Sequence, residues 1–387
     1  MKILVCDYTG TSAQWLKQCA VKENFEVVAT ITPATDENQL MKLLKENFWE
    51  YLLIFEKGMR NEFEKIIKAL NLPKNRIVYA LDGESWQNHN EATLALLNPN
   101  GNAKECYRAS SFNVARNLNY FMSVTTEDGF HYVGTSKDNF VIRDMYLDSI
   151  NFNRDEMKLF QALAKMFYHI DDSNGWFLDL GANIGTTGIY FTKRFAPNLK
   201  LLAFEPDAEN FKMLRTNLIL NDAEKNSVAE NLGLGDEETE LIMYRDIYNP
   251  GHNGFFADNR ATKVSEKVKI TTLDKYFAEK KISPKDVKYI WIDTEGFEAK
   301  VLLGAKNILT ENPAPIFMEF NPYHWQSTGC YEKIMELLKK LYVGYIWILK
   351  AMQTKQIEVQ PIENLWKFQK SRYGTGGLGD ILLIHKI

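Results

Sequence analysis

Residues Phe177–Phe191 read FLDLGANIGTTGIYF. An apolar run enters Asp179, small residues follow at Gly181, Ala182 and Gly185, and the remainder is compatible with a helix. That order predicts a strand, a tight turn and a helix. A turn of this kind brings backbone N–H groups close to a ligand.

Outward from this stretch the alternation continues. The strand-like segments WFLDLG, LKLLAFEP, NSVAENLGLGD, VKYIWIDTEG, APIFMEFNP, GYIWIL and DILLIHKI are separated mostly by helical ones, with a polar excursion and VKITTLDKYF before the fourth. Seven strands, the last two without an obvious helix between them, fit a mostly parallel sheet with its last strand antiparallel. RDEMKLFQALAKMFYHI has helical spacing and is ended by DDSNG, so this α/β domain is expected over 151–387. Upstream, KILVC, FEVVATI, YLLIF and RIVYAL alternate with three amphipathic segments, which predicts a smaller Rossmann-like parallel-sheet domain at 1–98. Its first turn, DYTGTSAQ, has no GxGxxG, so docking or dimerisation, giving a homo-oligomer, is its expected use. Between them, 99–150 reads as a connector with short β-strands, from NPNGN through FMSVTTEDGFHYVGTSKDNFVI.

The 46 basic and 50 acidic residues nearly cancel, so no nucleic-acid partner is expected. The opening MKILVCDYTG is too short and too polar for a signal segment, and no window is apolar enough to span a bilayer; a cytoplasmic protein is expected. Cys6, Cys19, Cys106 and Cys330 are scattered without a CxxC pair, which predicts ordinary reduced thiols rather than a zinc site.

Glu205 ends the second strand of the larger domain, where a carboxylate can accept hydrogen bonds from ribose hydroxyls. NAD and S-adenosylmethionine both use that device. GANIGTT lacks the lysine of a P-loop, which argues against an NTPase. Asn183 occupies the second glycine position of a dinucleotide loop, and anionic Asp179 precedes the turn. A carboxylate there repels pyrophosphate and suits a ligand carrying an ammonium and a sulfonium, as S-adenosylmethionine does. Asp179 as a simple cap of the turn is the structural alternative.

FLDLGANIGTTGIYF, AFEPDAENFKMLRTN, ENLGLGD, TTLDKYF and WIDTEGFEAKVLLGA occur in the order seen in FkbM-type methyltransferases, which the chain resembles from about Gly175 to Lys386. The resemblance implies a class I S-adenosylmethionine-dependent enzyme that methylates hydroxyl oxygens on sugars and macrolide-type products. Carried over by position, it implies that Asp179, Gly181, Ala182, Asn183 and Gly185 line the methionine end and Glu205 the ribose, with Pro206 and Asp207 on the adenine side and Asp236 nearby. EYLLIFEKGMRNEFEKIIKALNLPKNRIVYAL and DGFHYVGTSKDNFVIRDMY resemble, more loosely, the amino-terminal halves of longer bacterial members; this implies architecture and no function.

Open α/β sheets bind ligands at the carboxyl ends of their strands, where IWIDTEGFE places Asp293 and Glu295. Residues two apart in an extended chain face one side, so both carboxylates are expected in one cleft, to take a proton, bind sugar hydroxyls or hold a divalent metal. His324 in EFNPYHW is the histidine candidate for a general base, with a surface or packing role as its alternative, and His252 in NPGHNGFF is a weaker one. Trp291 stands where the family segment carries a lysine, and could stack on a sugar face or fill the core. NPYHW lies one strand too late to match the NPPY motif of amino-methylating enzymes. Gly374–Gly379 reads as a mobile loop or as a tight bend before the last strand. The expected activity is S-adenosylmethionine-dependent O-methylation of a sugar or glycan precursor, as in surface-polysaccharide synthesis. A non-catalytic nucleotide-binding scaffold and an NAD-dependent oxidoreductase are the alternatives.

Overall fold

The structure is a computed structural model, and it describes residues 1–7, 13–23, 25–32, 34–46, 48–55, 65–66, 68–70, 72, 76–79, 94, 104–246, 250–255, 262–365 and 379–385. The chain forms two compact units, Met1–Val114 and Ala115–Ile387.

In the first unit, strands β1 (Lys2–Cys6), β2 (Glu26–Ile31), β3 (Tyr51–Ile54) and β4 (Ile77–Tyr79) pair in parallel in the order β2-β1-β3-β4. Alternation along β1 sends Ile3 and Val5 into a cluster with Leu16, Cys19 and Phe25, and Leu4 and Cys6 into another with Leu44 and Trp49. Both faces are thus buried, as a parallel sheet requires. Helices α1 (Ala13–Glu23) and α2 (Glu37–Lys45) are the first two of the three expected; Asp36 caps α2 by accepting from the Gln39 N–H at 2.8 Å. Of the third expected helix, in NEFEKIIKAL, 65–66 and 68–69 are helical, and 61–64 and 67 lie outside the described residues.

The division between units falls within α3 (Lys104–Leu118), so much of the stretch read as a connector lies in the second unit. There β5 (Phe121–Thr125) and β6 (His131–Thr135) form a hairpin, followed by α4 (Val141–Asp148) and α5 (Arg154–Tyr168). The open edge of β6 is closed by two side-chain amides of α7 (Ala208–Leu220) and its C-cap. Asn217 accepts from the Val133 N–H at 2.7 Å and donates to its carbonyl at 3.0 Å, and Asn221 does the same at His131, at 2.9 and 2.7 Å. Four residues apart on one helical face, they stand in for a neighbouring strand.

The main sheet has the order β16-β15-β17-β14-β13-β7-β8-β9. Its strands are β7 (Trp176–Leu180), β8 (Lys200–Phe204), β9 (Ser227–Glu230), β13 (Val287–Ile292), β14 (Ile316–Phe320), β15 (Tyr342–Trp347), β16 (Val359–Pro361) and β17 (Gly379–His385). Pairing is parallel from β9 to β14, and β17 runs antiparallel between β14 and β15. The antiparallel last strand agrees with the pattern, but the sheet has eight strands rather than seven. A helix, Ile348–Thr354, and the three-residue edge strand β16 occupy the span between β15 and β17 that looked helix-free, being too short to show a periodicity. The polar excursion forms a separate sheet, β10 (Gly233–Leu234), β12 (Thr262–Thr271) and β11 (Thr239–Asp246), in that spatial order.

The chain leaves β7 toward β8 on one side and returns to β13 on the other, so the sheet reverses its order between β7 and β13. A crevice opens beyond the carboxyl ends of strands at such a reversal. Phe160 of α5 packs on Tyr289, Trp291 and Phe317 beneath it, and Trp291 stacks flat on Phe317 with centroids 3.7 Å apart.

Candidate active site

After β7 the chain turns so tightly that the N–H groups of Gly181 and Ala182 both donate to the Phe204 carbonyl, at 3.0 and 2.9 Å. Gly181 has φ +92°, and a Cβ there would overlap the Asp293 carbonyl oxygen, so only glycine fits where β7 and β13 approach. The Asp293 N–H donates to the Leu180 carbonyl at 3.0 Å, which ties the two strand ends. Asn183, at φ 49°, takes the left-handed conformation that asparagine tolerates.

Glu205, one residue past β8, reaches back to this turn. One carboxylate oxygen accepts from the Asn183 N–H and the other from the Asp207 N–H, both at 2.8 Å. Burial pushes its carboxyl up to about 8 against those two donors. Asp179 is buried as well and accepts from the Gly188 N–H at 2.8 Å, fastening β7 to helix α6 (Thr186–Tyr190); burial pushes it up to about 7.

Two adjoining cavities occupy the crevice. The first is a slot of about 40 Å³ between Asn183, Glu205, Pro206 and the Leu232–Leu234 segment, narrowed by the turn Pro250–Phe255, whose Phe255 packs 4.8 Å from Phe297. The second is wider, about 260 Å³, floored by Trp291 and Phe317 and lined by Glu156, Asp293, Glu295, Glu319 and Asp380. Gly181, Asn183, Gly251, Asp293 and Glu295 border both.

Of the residues singled out in the sequence, Gly181, Asn183, Asp293 and Glu295 lie on this seam, and Glu205 and Pro206 line the slot alone. Ala182, Gly185 and Asp179 shape the turn from behind it without lining either cavity. Asp207 is the N-cap of α7, accepting from Glu209 and Asn210, and pairs with Arg245 and Asn253. Asp236 lies outside the slot in an ion pair with Lys300 at 2.9 Å. Leu232, Gly233 and Leu234 line it instead.

Asp293 and Glu295 meet for a reason other than the strand pleat. β13 ends at Ile292, and both carboxylates sit on the turn that follows, with Glu295 in the left-handed region at φ 52°. Buried Glu298 holds that turn, its Oε1 accepting from the Thr294 and Gly296 N–H groups at 3.2 and 2.9 Å and from the Thr294 hydroxyl at 3.1 Å. Asp293 opens to solvent through the cleft but is ringed by protein elsewhere, and this desolvation pushes its carboxyl up. His324 packs behind the same turn: a Cβ on Gly296 would collide with its ring, and its Nδ1 lies 3.3 Å from Asn321 Nδ2. It borders neither cavity. The His252 side chain and residues 374–378 of the glycine-rich stretch lie outside the described residues. Trp291 is 3% exposed, the core alternative, and borders the wider cavity.

The sequence reading missed Glu298, Glu319, Asp380 and Glu156. A carboxylate inside an apolar strand, as in IFMEF and GDILLI, is the signal that could have found Glu319 and Asp380. Among the described residues no group of three or more His, Cys, Asp or Glu side chains is arranged to hold a metal ion, and no helix is long and apolar enough to cross a membrane.

Residues 179–346 match the Methyltransferase FkbM domain. The match spans less than half of the chain, and over that segment the chain is similar to the FkbM methyltransferases. Beyond the family match, the chain is similar to Methyltransferase sdnD of Sordaria araneosa, 28% identical over 193 residues that make up 43% of this chain and 73% of the relative. It is similar to Methyltransferase 1 of Beauveria bassiana, 27% identical over 150 residues, 35% of this chain and less than two thirds, 59%, of that protein. The crystal structure of Methyltransferase FkbM from Methylobacillus flagellatus KT aligns over 99% of this chain and 89% of its own, at 12% identity and a TM-score of 0.33. The FkbM domain begins at Asp179 and ends within β15, so it contains the Glu205 slot and Asp293, while Glu156 and Asp380 of the wider cavity come from outside it.

Proposed function

We propose that the FkbM domain transfers a methyl group from S-adenosylmethionine to a hydroxyl oxygen of a sugar or glycan precursor. The observation that carries this reading is the pair of cavities meeting at Asp293 and Glu295: one suits a nucleoside, the other an acceptor rich in polar groups. The residues of the slot fit the cofactor chemically. Glu205 has an acceptor lone pair left on each oxygen for ribose hydroxyls, and the apolar Leu232–Leu234 segment offers a flat wall for a base. Asn183 Oδ1 is buried without a hydrogen-bond partner, which is costly unless a donor such as the methionine ammonium fills it. A ligand of that size needs the Pro250–Phe255 turn to swing away from Phe297.

When bound, S-adenosylmethionine supplies an electrophilic methyl carbon on a sulfonium centre. The protein's part is to hold the acceptor in line and to receive the proton its hydroxyl sheds. Asp293 Oδ is the receiver: it lies at the seam, and its raised affinity for protons suits a base working near neutrality. Glu298 and His324 act as positioning residues by fixing the turn.

Calorimetric titration of the full chain tests this reading. Saturable S-adenosylmethionine binding, weakened about tenfold or more by Glu205→Ala, is expected, with none for NADH. Asp293→Asn is expected to keep that binding and lose transfer of a labelled methyl group to a panel of sugars. Binding of NADH alone overturns the cofactor; unchanged turnover in Asp293→Asn removes its role.

A further inference from the structure

Glu319 and Asp380 are direct partners in the antiparallel register of β14 and β17. Like charges placed opposite one another on a sheet are destabilising. Both border the wider cavity, and among the described residues neither receives a hydrogen bond or ion pair from any side chain. Glu156 and the shared Asp293 and Glu295 complete a wall of five carboxylates, and no Lys, Arg or His among the described residues lines the same cavity. Burial and the neighbouring carboxylates push Asp380 up to about 7 and Glu319 well above the ordinary carboxylate range.

The aromatic floor makes this arrangement more costly. Trp291 and Phe317 are nearly fully buried, so the charges beside them are poorly screened. Elsewhere in the same unit a carboxylate is compensated, as Arg245 does for Asp207. The cofactor's own positive charges cannot serve here, because Glu156, Glu319 and Asp380 border only the wider cavity and not the slot. A neutral sugar would give these groups hydrogen bonds but no counter-charge.

Resting on the methyltransferase reading, we infer that the acceptor carries an ammonium group beside its reacting hydroxyl, as an amino sugar or other amino alcohol does, and that Glu319 and Asp380 bind that ammonium. The methyl still passes to the hydroxyl oxygen: the C–O bond forms as the C–S bond breaks, the sulfur keeps the electron pair, and the hydroxyl proton goes to Asp293. The ammonium is held in its charged form by the pair, has no free lone pair, and is not the methylated atom.

The test uses the full chain, with and without saturating S-adenosylhomocysteine, titrated with two matched pairs of probes: D-glucosamine against D-glucose, and ethanolamine against ethylene glycol. The ammonium member of at least one pair is expected to bind about tenfold or more tightly than its neutral match. Glu319→Gln/Asp380→Asn is expected to abolish that preference and leave S-adenosylhomocysteine affinity unchanged. Because it removes a like-charge pair, the double variant is expected to melt no lower than the parent; if it does melt lower, Asp380→Asn alone carries the same comparison. Equal or tighter binding of the neutral members, binding of no ammonium probe, or a preference that survives the substitutions overturns the inference. Failure of S-adenosylhomocysteine and S-adenosylmethionine to bind at all overturns the methyltransferase reading instead.

Discussion

The two halves of the main sheet treat their carboxylates differently. At the carboxyl ends of β7 and β8, Asp179 accepts from Gly188, Glu205 from Asn183 and Asp207, and Asp207 from two N–H groups of α7 as well as pairing with Arg245. At the ends of β14 and β17, Glu319 and Asp380 face each other and the open cavity with no such donors among the described residues. The first half is finished by the chain itself, because each acid lies within a few residues of a turn or helix start that exposes free N–H groups. The second half meets inside the β14–β17 ladder, one residue from the end of each strand, where the backbone N–H groups are already committed to strand pairing. Among the described residues nothing balances those acids.

Substitutions on either side put this contrast to the test. Gly181→Ala has the largest expected effect, because its Cβ would overlap the Asp293 carbonyl at the joint between the halves and φ is positive; a loss of about 3 kcal/mol or more is expected in urea unfolding, or no folded protein. A pH series follows. Glu205 is raised from 4.5 to about 8 and Asp179 from 3.8 to about 7, so from about pH 4 to 8 the folded state holds protons that the unfolded state has lost. Their contribution to stability is full below the ordinary carboxylate values and is lost as pH rises toward 8. Thermal melts from pH 5 to 8 should fall accordingly, and Glu205→Gln should flatten the slope; a melting temperature that rises over that range would falsify this. Asp207→Ala strips the α7 cap and leaves Arg245 with Glu266 alone, and about 2 kcal/mol of lost stability is expected by the same unfolding assay. Asp236→Ala removes only a partly exposed pair with Lys300, and a change beyond about 0.5 kcal/mol, or weaker cofactor binding, would show that it does more than the structure assigns.

Much of the first half was legible because its signals are local. Asp179, the small residues of the turn and Glu205 follow one another along a single β-turn-α-β run, and Gly181, Asn183 and Glu205 line the slot. Asp207 and Asp236 were misplaced within that region: a carboxylate at a helix start reads the same whether it caps the helix or faces a ligand, and the chain supplied the cap and the ion pair. His324 was a lone side chain with no periodicity to orient it, and only the packing against Gly296 shows which side of the turn it occupies. The helix and edge strand between β15 and β17 were too short to leave a pattern.

The two α/β units, the strand that carries Asp179, the turn that only glycine can enter and the acid that closes it are written in the sequence, because each depends on periodicity or on backbone freedom within a few residues. That Glu156, Asp293, Glu295, Glu319 and Asp380 share one cavity over a Trp291–Phe317 floor is a product of tertiary packing alone. They come from a helix, a turn and two strands far apart in sequence. The antiparallel insertion of β17 beside β14, which sets Asp380 opposite Glu319, is a matter of long-range register that no local pattern encodes.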